Sequence, residues 1–297
     1  MAVIAALLMV LAGVNGGKQA AGTAEWDHLP LPLETPPFQR TLNREALEFL
    51  SLQLLESTPN RVVDYENWFQ RIMGYPGVTY HNGGVNDAIR GYGEPYMIDG
   101  TLSVPGGDLF HLYMVIYDDE KTLAFYGDPP NRFDVILYPR ILVVMDFYTY
   151  EQEMVLDFLT YAHAPADEQG ETEFTFQELQ WADVEQGILY VSNSHRTYST
   201  SSGGQNSYIT AIDMETLEVL WRTRPLVSNS ENFLIEGDTI ITGYGFTAED
   251  DYVYLINRLT GEVMESYEVP SAPEYFYRED DRLYVRCYDT DCVFAIS

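Results

Sequence analysis

A mainly β chain is what this sequence predicts: a β-propeller of four-stranded antiparallel blades, about four to five units, with a small N-terminal helical appendage. Three observations predict it. A turn led by Asp or Asn recurs three times between apolar strands. A second turn-and-strand marker recurs in step with it. The last two copies, Asp213 and Asn257, stand 44 residues apart, which is the period of one blade.

The turn copies are Asp146-Phe147-Tyr148-Thr149-Tyr150-Glu151, Asp213-Met214-Glu215-Thr216-Leu217-Glu218 and Asn257-Arg258-Leu259-Thr260-Gly261-Glu262. Before the second runs Tyr208-Ile209-Thr210-Ala211-Ile212, and before the third Tyr252-Val253-Tyr254-Leu255-Ile256, both strand-like in composition. Each leading Asp or Asn is placed to accept a hydrogen bond from the N–H two residues on. The fifth position suits a left-handed glycine, as at Gly261. Leu217 and Tyr150 stand there in the other copies, and a left-handed backbone would cost each roughly 1–2 kcal/mol. The second marker reads Gly187-Ile188-Leu189-Tyr190-Val191, Gly237-Asp238-Thr239-Ile240-Ile241 and Asp281-Arg282-Leu283-Tyr284-Val285. Aligning Ala295-Ile296-Ser297 with Ala211-Ile212-Asp213 makes the final copy stop where its turn would begin.

Ala211-Ile212-Asp213, Thr216 and Trp221 resemble the Ala-x-Asp-x-x-Thr-Gly-x-x-x-Trp repeat of the pyrroloquinoline-quinone (PQQ)-like β-propeller superfamily. The resemblance covers Thr172 to Ser297 and, more weakly, Asp134 to Phe158. It implies four antiparallel strands per blade, with Trp221 docked against the neighbouring blade. Glu265 stands at the equivalent place in the third copy, Met154–Val155 near it in the first, and Leu217 replaces the family glycine. Such a resemblance implies a fold and not an activity, since the repeat marks scaffolds as often as enzymes.

Three segments follow from the rest of the chain: 1–24 a signal and tether, 25–95 an extended proline-rich stretch plus helices, 96–297 the propeller. Pro30, Pro32, Pro36 and Pro37 keep Glu25–Gln39 extended and out of any central strand. Asn43 can cap a helix carrying Ala46, Leu47, Leu50 and Leu54 on one face, and a second amphipathic run spans Val62–Met73. Phe110–Tyr117 and Thr122–Tyr126 form a predicted hairpin. Because the last blade lacks an outer strand, the N-terminal part is expected to supply it and close the ring. Detachment of Glu25–Thr41 from that blade would sink this idea.

The formal net charge is −30, with Lys18 and Lys121 the only lysines. So negative a field repels phosphate backbones and excludes nucleic acid as a partner. Solubility outside the cell, a high-salt habitat, or a cationic partner or Ca²⁺ all remain open. Ala2–Val14 is an apolar run too short to span a bilayer, and it fits the h-region of a signal peptide. Leu11-Ala12-Gly13 resembles a bacterial lipobox with Val14 where the lipidated Cys would stand. Export to the cell envelope or beyond is therefore expected, membrane-proximal and without a transmembrane span. A merely frayed apolar terminus is the alternative.

Cys287 and Cys292 flank Tyr288-Asp289-Thr290-Asp291, and a four-residue hairpin loop would set them opposite each other as a disulfide. A redox or metal pair is the alternative, although Cys-x₄-Cys without His suits zinc poorly. The histidines, His28, His81, His111, His163 and His195, have no metal-ligand spacing. His195 precedes a polar loop, Arg196–Asn206, readable as part of a binding surface or as a tolerated insertion. Asp118-Asp119-Glu120, Glu249-Asp250-Asp251 and Glu279-Asp280-Asp281 read as solvated turns, with Ca²⁺ as the alternative. No nucleophile elbow or phosphate-binding loop is present. The residues singled out are thus structural: Asp146, Thr149, Asp213, Thr216, Trp221, Asn257, Thr260 and Gly261, with Cys287 and Cys292. The expected function is a non-enzymatic binding or protein-interaction scaffold, a monomer with no catalytic residues and no cofactor, save that Ca²⁺ stays open. Its partner, an unknown protein or small ligand, lies at the envelope. An enzyme using the central funnel, quinoprotein-like or degenerate, and a Ca²⁺- or glycan-binding surface protein are the alternatives.

Overall fold

The structure, a computed structural model, describes residues 27–28, 38–39, 49–60, 79–80, 101–103, 109–117, 121–127, 139–158, 177–195 and 198–297. The apolar N-terminus, the 62–73 run and the acidic triplet 118–120 lie outside these residues. Five strands precede the regular repeats: β1 (Asp27–His28), β2 (Phe38–Gln39), β3 (Leu52–Pro59), β4 (Thr79–Tyr80) and β5 (Thr101–Ser103). Four antiparallel sheets, the blades of a propeller, then follow in chain order.

The first blade holds β6 (Leu109–Tyr117), β7 (Lys121–Gly127), β8 (Pro139–Asp146) and β9 (Gln152–Asp157), with β4 and β5 both added on β6. The second is β10 (Glu178–Glu185), β11 (Ile188–Ser194), β12 (Tyr208–Asp213) and β13 (Val219–Arg222). The third is β14 (Leu234–Glu236), β15 (Thr239–Tyr244), β16 (Tyr252–Asn257) and β17 (Val263–Glu268). The fourth is β18 (Pro273–Glu279), β19 (Arg282–Cys287), β20 (Thr290–Ile296) and, at its outer edge, β3.

The middle strands of the first three blades are buried on both faces, which explains their continuous apolar runs. Ile141, Leu142 and Val144 of β8, Ile209, Ala211 and Ile212 of β12, and Val253, Leu255 and Ile256 of β16 are sealed from solvent. One large apolar cluster joins side chains of the first three blades and reaches Tyr275 of the fourth, while another joins the third and fourth blades through Ile241, Leu255, Phe276 and Phe294.

The expected helix over Asn43–Leu54 is overturned where the structure describes it. Leu52–Pro59 is a strand, paired antiparallel to β20 from Ile296↔Leu52 to Thr290↔Pro59. The helical spacing of Leu50 and Leu54 is real, but the unpaired edge of β20 offers seven backbone groups a ladder, and tertiary demand overrides local propensity. The last blade does take its outer strand from the N-terminal part. Closure through Glu25–Thr41 falls, because its described strands pair elsewhere, β1 with β9 and β2 with β13, and β3 takes the outer place instead. Between them and β3, the backbone passes the third blade, where Leu50 N–H donates to Thr239 Oγ1 (3.4 Å) and Leu52 N–H to the Tyr267 hydroxyl (2.9 Å). The described pieces of this stretch, β1, β2, Leu50 and β3, thus touch the four blades in chain order.

The ladder also corrects the alignment of the final copy. Leu189 faces Ile212, Ile240 faces Ile256, and Leu283 faces Phe294. Phe294 therefore takes the place of Ile212, and Ala295 that of Asp213. With no turn-forming carboxylate there, the strand runs on. Ser297 and Ser51 then exchange backbone hydrogen bonds of 2.8 and 3.1 Å.

Candidate functional site

The three turns have one geometry. Asp146 Oδ1 accepts from Tyr148 N–H (3.0 Å) and Thr149 N–H (2.8 Å); Asp213 Oδ1 accepts from Glu215 N–H (3.0 Å) and Thr216 N–H (2.9 Å). Asn257 Oδ1 accepts from Leu259 N–H at 2.9 Å. The hydroxyls of Thr149, Thr216 and Thr260 each accept from the N–H two residues on, all at 3.3 Å. The fifth residue is left-handed in every copy: φ is 56° at Tyr150, 58° at Leu217 and 72° at Gly261.

What decides between Leu and Gly there is the neighbouring blade. Trp221 of β13 is fully buried, and its Nε1–H donates to the Arg258 carbonyl at 3.0 Å, inside the third blade's turn. A Cβ on Gly261 would lie 2.5 Å from Trp221 Cε3. Trp221 is thus docked on the next blade, and Gly261 makes room for its ring. A skipped residue before each equivalent position fixes the register: Trp221 faces Ala211, Met154 faces Val144 and Glu265 faces Leu255. The first blade therefore has Met154 where the second has Trp. Leu217 meets no docking Trp, and its side chain packs on the core instead.

The two cysteines lie on the β19–β20 hairpin, whose turn is Tyr288–Asp289, two residues and not four. Cys292 consequently faces Val285, with Cys287 diagonal to it on the same buried face. Both are free thiols. Donation towards Cys292, reinforced by burial, pushes the Cys287 thiol far up. The same Cys287 S–H, with help from Ser57 on β3, holds Cys292 down at about 7.

A cavity of about 520 Å³ opens where the second, third and fourth blades meet. Gln180 and Ser194 enter it from β10 and β11, with His195 just beyond. Glu231 comes from the β13–β14 connection, Asp251 from the loop before β16, Glu274 from β18, and Asp289 from the β19–β20 turn. Hydrogen bonds hold these connections in place. Asn229 Nδ2–H donates to the Gly245 carbonyl (2.7 Å), Gly245 N–H donates to Asn229 Oδ1 (3.2 Å), and Glu231 N–H donates to the Glu274 carbonyl (2.8 Å). Asp251 fits against Gly245, where a Cβ would collide with its carboxylate and with the Ala272 backbone.

The carboxylates are unlike one another. Burial pushes Asp251 up to about 6, assisted by Asp250, Asp289 and Glu249. Burial likewise pushes Glu274 up to about 7, with Glu231 adding and Arg286 opposing. Asp289 is held down by the Ser271 and Thr290 hydroxyls and stays ionised.

The polar loop after His195 is built into this wall. Ser199 N–H and Oγ–H both donate to Glu249 Oε1 at 2.7 Å, and the Tyr244 hydroxyl donates to Glu249 Oε2. Tyr198 stacks edge-on to Phe246, with ring centroids 5.1 Å apart. Ser202 Oγ donates to the Ser199 carbonyl (3.1 Å) and accepts from Asn206 Nδ2 (2.8 Å), so His195 Nε2, 2.8 Å away, carries a proton. Glu249 and Asp251 are therefore not a solvated turn. One is a strut between blades and the other lines the cavity. His111 lies in β6, far along the chain from this site.

None of the structural residues singled out from the sequence lines the cavity. Glu231, Glu274 and Asp289 escaped sequence reasoning because 46 acidic residues offer no contrast, and Asp251 was noticed only as part of the triplet Glu249-Asp250-Asp251. Among the described residues no helix is long and apolar enough to cross a membrane, and no three His, Cys, Asp or Glu gather as metal ligands.

No protein-family model matches the chain, and no curated protein matches it. Among solved structures it is similar to the computationally designed Ika4 protein: 10% identity, 62% of this chain, 89% of that one, TM-score 0.37. It is also similar to BamB from Moraxella catarrhalis, at 12% identity over 66% of this chain and 81% of that one, TM-score 0.32. For a europium-containing methanol dehydrogenase the identity is 12%, over 58% of this chain and 40% of that one, TM-score 0.31. At these scores the likenesses carry no residue role across.

Proposed function

We propose that this chain is an exported, non-enzymatic binding scaffold of the PQQ-like β-propeller type, acting at the cell envelope. One observation supports binding above all: the loops of three blades converge on a walled cavity of small-ligand size, held by hydrogen-bonded connections. The Trp221–Gly261 docking supports the kinship with that repeat. Export rests on the apolar run Ala2–Val14 and the lipobox-like Leu11-Ala12-Gly13. Residues 1–24 would then be a targeting segment and tether. In an oxidising compartment the adjacent Cys287 and Cys292 thiols would close to a disulfide.

The test is a thermal-shift screen of the chain against sugars, peptides, PQQ and Ca²⁺, repeated with Asp251→Asn. A ligand that raises Tm in the first protein and not the second supports the reading. A flat response across the panel counts against it. Cell fractionation and alkylation of the unreduced protein check export and the disulfide.

Catalysis in the same cavity is the second reading, favoured by the raised Asp251 and Glu274, since such groups cluster in active sites. It requires a substrate to be turned over, and Glu274→Gln to abolish the turnover.

A further inference from the structure

We propose that the cavity between the second, third and fourth blades binds an organic cation, an ammonium or guanidinium group carried on an extended chain. The inference rests on the binding reading above and names its ligand class. Four carboxylates line the cavity, Glu231, Asp251 and Asp289 from three separate connections and Glu274 from β18, and neither Lys nor Arg lines it. Acidic residues on a solvated face spread their charge outward. These converge on a recess of about 520 Å³.

One oxygen there calls for a donor. Asp251 Oδ1 is shut off from solvent and accepts no hydrogen bond. Ser194, 2% exposed, lines the same wall. Leaving a buried acceptor unmade costs free energy, so a ligand bringing N–H groups recovers it. Phe246 and the largely exposed Tyr288 add ring faces for a cation to lie against.

The spacing of the acids selects the kind of cation. Among the described residues no three of them gather closely enough to enclose one metal ion. Charges spread round a recess instead suit a cation with an apolar stem and more than one donor. Two sources carry that chemistry: a free linear polyamine, and a Lys or Arg side chain of a partner polypeptide.

The test is isothermal titration calorimetry on the full chain with spermidine, with a Gly-Lys-Lys-Gly peptide, and with that peptide acetylated on its lysines. Asp251→Asn and Glu274→Gln keep the side-chain shape and remove charge, and circular dichroism checks that each folds. Glu151→Gln and Glu215→Gln remove the same charge from exposed turns remote in sequence from the cavity. We expect saturable binding of one probe per chain, weakened about tenfold or more by either cavity variant and unchanged by the surface variants. Acetylated peptide should not bind.

Affinity should rise from about pH 5.5 to about pH 8 as the cavity acids ionise. The groups facing them are Asp250, Asp289, Glu249 and Cys287 around Asp251, Glu231 and Arg286 around Glu274, and His195 across the recess. Preference for spermidine or for the peptide identifies the source. Equal weakening by cavity and surface variants would overturn the proposal, because surface charge would then suffice. So would no binding of any amine. If amines fail while a neutral ligand from the thermal screen still needs Asp251, this proposal falls and the binding reading stands.

Discussion

Replacing Gly261 by Ala should destabilise the propeller through two separable effects. A left-handed backbone at φ 72° costs a non-glycine residue roughly 1–2 kcal/mol. The new methyl would sit 2.5 Å from Cε3 and 2.8 Å from Cδ2 of Trp221. The adjacent ring is fully buried and tied to the Arg258 carbonyl, so it has nowhere to retreat. Overpacking of that kind costs roughly 1–3 kcal/mol, and loosening the indole hydrogen bond about 1 more. The total expected is roughly 3–6 kcal/mol. Urea unfolding followed by far-ultraviolet circular dichroism reads it. In a Trp221→Leu background only the backbone cost, roughly 1–2 kcal/mol, should remain, because the obstructing ring is gone. A loss below about 1 kcal/mol in the parent, or the same loss in both backgrounds, would refute the docking argument.

Asp213→Ala removes the acceptor for two N–H groups at a partly exposed turn and should cost about 1–2 kcal/mol in the same assay. Asp146, held below its ordinary value by the Thr149 backbone and hydroxyl, contributes stability that is present above about pH 4 and lost as acid protonates it. Asp146→Asn should flatten that acid limb in a pH series of melting curves. Glu274 is shifted the other way. Its contribution is full below its unfolded pKa and lost as pH rises through about 7, so Glu274→Gln should raise Tm at pH 8 and leave it nearly unchanged at pH 4. Arg258→Ala should destabilise by about 3–5 kcal/mol, since the guanidinium is 2% exposed and its loss strands Asp238, 2.7 Å away.

The repeat was legible because its turns depend on local chemistry. An Asp or Asn, a Thr three residues on, and a fifth-position residue able to go left-handed are all visible in six consecutive residues. Trp221 was legible through its resemblance to a known repeat, and the reason for Gly261 appeared only when the ring was seen lying over it. Leu52–Pro59 was misread because an edge strand owes its conformation to a partner more than 200 residues away. Its own Leu spacing fits a helix equally well. The cavity was illegible for a related reason. Its acids come from three connections and strand β18, and only the stacking of blades tells Asp251, which is half-buried, from Asp250 beside it in the chain.

The pairing of β3 with β20 sets a schedule for synthesis. Strand β3 leaves the ribosome more than 200 residues before β20, its only ladder partner among the described strands. At ordinary elongation speeds that gap lasts roughly 10–50 s. Throughout it Leu54 and Leu55 stand on an unpaired strand with nothing to cover its backbone. Nascent chains crowded on one message are then exposed to one another's edges, and a neighbour's finished fourth blade could accept the wrong β3. The fold therefore places a risk of exchange between molecules at the step that closes the fourth blade.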